Sequence, residues 1–366
     1  MQIAEQTAKQ NLGLESAPHL HAPLTTNAIM LLVLLALIPG FAVAVYFFGA
    51  GLILQFIVSA LTALVCEALV ALLRHRSVKR ALTDRSALVT AALLALTIPP
   101  LLPWHLTVAA TVFAILIVKH AFGGLGMNIF NPAMAGFIFL VISAPGVFYD
   151  TWLTPAPAAI SVVTPDRAAG VIFMGDDPHV LYREVVALKE DAHTLTGATF
   201  LESVKTARKA GEVEMLGTTD FTSDDYVAYL AMALALALGG LFLMVKKVIL
   251  YQMPLTFLIT LAALGYIWHS VNPGASITMT EHLLFGGSML GAFFIITDPV
   301  TTCGTARGRI LFAALTAFLV ILIRIHGSYS DSVAFAVLLA NAAAPLIDVI
   351  TKRRPFGIGY RKGGLQ

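Results

Sequence analysis

Apolar residues do not recur along this chain at the beat of a surface helix. They come in long runs, roughly 28–49, 51–73, 86–98, 105–121, 129–143, 226–245, 248–268, 283–297, 309–325 and 331–350. A helix that is apolar all round is buried in protein or lipid, and about 20 such residues cross a bilayer. The first, second, sixth, seventh and tenth runs meet that length, whereas the third, fifth and eighth are short. Short segments broken by Gly or Pro still cross where neighbouring helices cover their freed backbone. The pattern predicts an all-α polytopic membrane protein with about ten transmembrane helices. Five lie in residues 28–143 and five in 226–350, with a polar loop at 144–225 between them. A polar N-terminal segment, 1–27, and a basic tail, 351–366, complete the chain.

Composition agrees. The chain is 58% hydrophobic and only 12% charged, against about 25% charged in a soluble domain. The opening "MQIAEQTAKQNLGLESAPHLHAPLT" lacks a basic-then-apolar order, so no removable signal peptide is expected. Two cysteines, Cys66 and Cys303, are too few for a disulfide framework or a four-thiolate site and read as apolar packing residues.

Charge assigns the sides. Arg74, Arg76, Lys79, Arg80 and Arg85 follow the second run, Lys119 the fourth, Lys246 and Lys247 the sixth, and Arg307 and Arg309 the eighth. With Lys9 and the tail (Lys352, Arg353, Arg354, Arg361, Lys362), 16 of the 23 basic residues fall on one side. That is the positive-inside pattern, and an even number of spans puts both termini in the cytoplasm. Residues 144–225 then face the periplasm of a cytoplasmic (inner) membrane. This loop carries six Lys/Arg against thirteen Asp/Glu, and long loops translocate regardless of charge. It is too small for a large core of its own, so it is expected to pack on the membrane domain or a partner.

Five spans on each side suggest a repeat. "FGGLGMNIFNPAMAG" (122–136) and "FGGSMLGAFFIITDPVTTCG" (285–304) each run from Phe-Gly-Gly to an amide or acid before proline, Asn131-Pro132 and Asp298-Pro299. The spacings differ, nine residues against thirteen. Because five is odd, the halves would be inverted, an arrangement in which interrupted helices meet near the midplane and form a site.

Intramembrane acids and amides are the first candidates for chemistry. Glu67, Asp298, Asn128, Asn131 and Arg324 sit in or at the ends of apolar runs. An acid at a span centre costs about 2.5–3.5 kcal/mol on insertion scales. Glu67 and Asp298 are therefore candidates for an ion path. The bland alternatives are a basic partner for Glu67 and a helix cap for Asp298. Asn128, Asn131 and Asp298 also suit the polar edge of a slot for a flat aromatic cofactor. No nucleotide-cradling loop or HExxH is present, nothing points to nucleic acid, and His19, His21 and His193 read as scattered rather than metal-binding.

One polar stretch remains, "DAHTLTGATFLESV" (191–204). By itself Thr196-Gly197-Ala198-Thr199 reads as a turn into a short helix over 200–210, with Thr196 or Thr199 near its cap. Taken with "SAPHLHAP", "FGGLGMNIFNPAMAG", "TDPVTTCGTARGR" and "PLIDVITKRRPFG", it makes nearly the whole chain resemble the D subunit of Rnf-type electron-transport complexes. More distantly it is similar to the B subunit of sodium-pumping NADH:quinone reductases. The resemblance implies FMN attached through a phosphoester to Thr199 by a separate flavin transferase. It also implies a second, non-covalent riboflavin in the membrane domain, placed near Asn128, Asn131 and Asp298. The complex (with A, B, C, E and G subunits beside this one) would relay electrons between NADH and ferredoxin while moving H⁺ or Na⁺, so the chain is expected to act as a translocase component and not alone. Small neighbours at Gly197 and Ala198 let the Thr199 hydroxyl enter another enzyme's cleft. His193 stands six residues before Thr199, where the family usually has aspartate. A flavin-free channel or secondary transporter for a small polar solute would fit the same spans.

Overall fold

The computed structural model describes residues 25–189, 224–272, 276–327 and 332–352. Among them there are helices and no strand. The five main elements of a first group, with a short helix Val78–Thr83 between the second and third, are α1 (Thr26–Phe48), α2 (Gly51–Leu73), α3 (Ser86–Ala95), α4 (Trp104–Val112, continued by a π-helical stretch Phe113–His120) and α5 (Pro132–Ser143). After α6 (Pro178–Val186) come α7 (Asp224–Val245), α8 (Gln252–Val271), α9 (Met279–Leu284), α10 (Ser288–Leu290, continued by π-helical Gly291–Ile295), α11 (Ala306–His326) and α12 (Ser332–Thr351). Six of these, α1, α2, α7, α8, α11 and α12, are long and apolar enough to cross a membrane. The protein is an all-α polytopic membrane protein.

The two groups share a packing scheme. In each, the second helix packs on the third and fourth elements, and the fourth on the fifth. Between groups the first helices, α1 and α7, pack face to face, as do the fifth, α5 and α12. The third element of the second group is split into α9 and α10. The sequence match at Phe-Gly-Gly does not follow this scheme: Phe122–Gly124 precedes a fifth element, whereas Phe285–Gly287 interrupts a third.

The short elements survive because side chains repair their ends. Ten residues of α3 rise only about 15 Å, half the hydrocarbon thickness. Beyond α3 the chain is irregular, and the fully buried Gln55 of α2 donates to the carbonyls of Leu102 (2.6 Å) and Pro100 (3.4 Å). Thr107 holds the other end of that amide, donating to Gln55 Oε1 at 2.6 Å. In the second group Arg324 does the same work. Its guanidinium donates to the carbonyls of His282 (2.7 Å), Phe285 (3.0 Å) and Gly286 (3.3 Å) where α9 breaks into α10. Unsatisfied backbone at this depth would cost several kcal/mol per group.

The described part of the insert does not stand alone. Leu153, Ala156, Val163, Ile172, Leu181 and Val185 share one core with Ala44, Phe48 and Leu101 of the membrane group, as its small size requires. The helix expected at 200–210, and His19, His21 and His193, lie outside the described residues.

Candidate functional site

Among the described residues, a cavity opens between the groups at each end. The basic end carries Arg74–Arg85 and the α4–α5 loop; the insert end carries residues 145–189. The cavity at the basic end has a volume of about 210 Å³ and is walled by Asn128, Asn131, Asp298, Lys119, Phe293 and Leu93, among others. Asn128, Asn131 and Asp298 thus converge on one space, though 170 positions separate the first from the last.

Local chemistry fixes each of them. Asn131 caps α5, its Oδ1 accepting the N–H groups of Ala133 (3.0 Å) and Met134 (3.2 Å), with Pro132 in the first turn where a missing N–H costs nothing. Asn128 Nδ2 donates to the Phe130 carbonyl at 3.2 Å. That leaves Asn131 Nδ2, a donor, and Asn128 Oδ1, an acceptor, without a hydrogen-bond partner among the described residues. Asp298 is a turn cap: Oδ1 accepts from Val300 N (3.2 Å) and Oδ2 from Thr301 Oγ1 (3.1 Å). Its bland reading and its place on the cavity wall hold together.

Glu67 does not line the cavity. It is buried one layer behind, ion-paired with Lys119 through Oε1 and within hydrogen-bond distance of His120 Nε2 through Oε2 at 3.0 Å. Lys119 also donates to Ser86 Oγ at 2.6 Å. The basic partner foreseen for Glu67 is therefore present, and Lys119, read from sequence as a loop base, is 3% exposed inside the π-helical stretch. Such π-bulges are frequent at functional sites. Sequence reading also missed Asn341, 1% exposed in α12. A lone amide in an apolar run carries no signal of its partners. Arg324 stands at the opposite end of the molecule, at the break between α9 and α10, away from these residues.

The second cavity, about 170 Å³, opens at the insert end and is lined by Phe48, Phe137, Trp152, Tyr229, Phe285 and Gly286 with other apolar groups. It answers the first element for element. One is walled by the start of α3 and the end of α10, the other by the start of α10 and the residues following α3.

A flat three-ring molecule needs apolar faces and a few fixed polar groups at its rim. The basic-end cavity offers Leu93 and Phe293 for faces, with a donor and an acceptor amide, an ammonium and Thr90 at the rim. The residue chemistry fits such a ligand. Thr199 lies outside the described residues.

A model of the "NQR2, RnfD, RnfE family" matches residues 13–357. A Tolumonas auensis protein, named as the D subunit of an ion-translocating oxidoreductase complex, is 43% identical over 344 residues, covering 93% of this chain and 98% of the relative. An Escherichia coli (strain SMS-3-5 / SECEC) protein of the same name is 44% identical over 352 residues, covering 95% and 98%.

Proposed function

Because the chain belongs to the NQR2, RnfD, RnfE family, we propose that it is the flavin-bearing membrane subunit of an ion-translocating oxidoreductase complex of the Rnf type. On this reading FMN is joined to Thr199 by a phosphoester, and riboflavin sits in the basic-end cavity. The complex passes electrons between NADH and ferredoxin and moves H⁺ or Na⁺ in return. The basic end and both termini face the cytoplasm, and 144–225 faces the periplasm of the inner membrane. Partners are the A, B, C, E and G subunits, with a flavin transferase needed for maturation.

The observation that carries the reading is the convergence of Asn128, Asn131 and Asp298 on a cavity with apolar faces. A bound flavin supplies the redox chemistry; the protein supplies position, dielectric and charge. Asn128 Oδ1 and Asn131 Nδ2 are free to accept from and donate to a ring edge that carries both N–H and C=O groups. The apolar walls exclude water, which strengthens those bonds. The matching cavity at the insert end supports a second stop for electrons, on the side where the described chain breaks off at Lys189 and resumes at Asp224. Asp298 at the cavity and Glu67 behind it are the groups proposed for the ion path.

The test is analysis of the purified complex. Mass spectrometry should find an FMN increment on the Thr199 peptide, absent in Thr199→Val and in cells lacking the transferase. Chromatography of the extract should find riboflavin. A wild-type subunit carrying neither flavin would leave the channel or transporter reading standing instead.

A further inference from the structure

The proposed riboflavin leaves one buried cluster unexplained. Lys119 and Asp298 are the charged residues on the wall of the basic-end cavity. Asp298 turns its oxygens onto Val300 and Thr301. Lys119 does not close on itself in this way. Its ammonium has three protons, and the described residues take two, at Glu67 Oε1 and Ser86 Oγ. The third has no acceptor among them, and Lys119 is one of the residues that line the cavity.

We propose that Lys119 is the cationic contact for the electron-rich edge of the flat ligand in this cavity, with Glu67, Ser86 and His120 as positioning residues. The inference rests on the flavin reading above and goes beyond it by naming the residue that sets the ligand's charge preference. The surrounding geometry is that of a held group. Glu67 offers one oxygen to Lys119 and the other to His120. Arg74 ties down the end of the π-helical stretch, donating to the carbonyls of His120 (2.6 Å) and Gly123 (3.0 Å). A cation fixed this way costs little reorganisation when negative charge arrives beside it. At low dielectric, a fixed cation attracts negative charge on the ligand far more strongly than it would in water. Lys119 therefore favours the reduced, more negative form of the ring over the oxidised form.

The experiment uses the whole detergent-purified complex. Lys119→Met alone leaves Glu67 buried without its cation, which destabilises in its own right, so the decisive variant is Lys119→Met with Glu67→Gln. It should keep covalent FMN on Thr199. It should either retain less riboflavin or hold riboflavin at a lower midpoint potential in a spectroelectrochemical titration. A tenfold loss of preference for the reduced ring is about 59 mV for a one-electron couple. Lys119→Arg, which keeps the charge, should restore both readings. Unchanged riboflavin content and midpoint in the double variant, or a higher midpoint, would overturn the assignment. Absence of riboflavin from the wild-type complex would instead remove the reading that riboflavin occupies this cavity.

Discussion

Asn341 reaches across 210 positions of sequence to accept the backbone N–H of Asn131 at 3.1 Å. With its other end it donates to the carbonyl of Thr301 at 3.0 Å. One buried amide thus joins the cap of α5 to the loop that follows α10, at the wall where the two groups of helices meet. Asn341→Leu removes both bonds without emptying the site. It should destabilise the subunit by about 1–3 kcal/mol for each buried group left unpaired, read as a lower thermal midpoint. Riboflavin content should fall with it, since Asn131 and Asp298 border the same cavity. Asn341→Asp keeps the acceptor for Asn131 and should lie between.

Gly240 tests the cavity from the other side. A Cβ there would lie 2.2 Å from Cδ1 and 2.7 Å from Cβ of Phe293. The second of these atoms is close to the backbone and cannot swing away. Gly240→Ala should therefore cost about 1–3 kcal/mol by overpacking and push Phe293 toward the cavity that it lines. The expected result is reduced riboflavin in the purified complex. Gly146→Ala, where an added Cβ meets nothing within 4 Å, is the control and should leave flavin content unchanged.

These residues mark how far sequence could be read. Length and apolarity made the spans legible, because lipid imposes one rule on every segment. The ninth run was read as 309–325, because Arg307, Arg309 and Arg324 bound the apolar stretch. The helix itself runs Ala306–His326, and the last arginine is buried as a repair for broken backbone. Asn131 and Asp298 were legible as polar groups beside prolines and Asn128 as an amide at the start of an apolar run, and the fold brings them together. Which residues would be their partners was not legible. Lys119 lies 52 positions from Glu67, and nothing local marks Gln55 or Asn341 as different from a tolerated polar residue. The Phe-Gly-Gly pair misled because identical turn chemistry serves two different junctions.

The clasp at the foot of the insert gives a third prediction. Lys189 Nζ meets Asp225 Oδ1 at 2.5 Å, and Thr154 bonds to both. The two charged residues flank the segment that contains Thr199, so their contact brings its ends to one place. Lys189 is 6% exposed and Asp225 35%, so breaking the pair should cost less than the roughly 3–5 kcal/mol of a fully buried one. Lys189→Met should lower the thermal midpoint, and Lys189→Met with Asp225→Leu should recover part of the loss. A cycle of these variants showing no coupling would dissolve the clasp.

A last pair, on the same face, tests electrostatics alone. Arg167 grips Glu184 in a fork, Nη1 to Oε2 at 2.6 Å and Nη2 to Oε1 at 2.7 Å. The guanidinium holds the Glu184 carboxyl below its ordinary 4.5. A carboxyl depressed in the folded state contributes stability that is present above its unfolded value and is lost as pH falls through the folded one. Wild type and Glu184→Gln should therefore differ by a constant amount between pH 6 and pH 8, and the difference should close only below pH 4.5. Both side chains are well exposed, so the constant is small and shrinks in high salt. Thermal scans of the two proteins across pH check both points, and a difference that grows as pH falls below 4.5 would reverse the sign argued here.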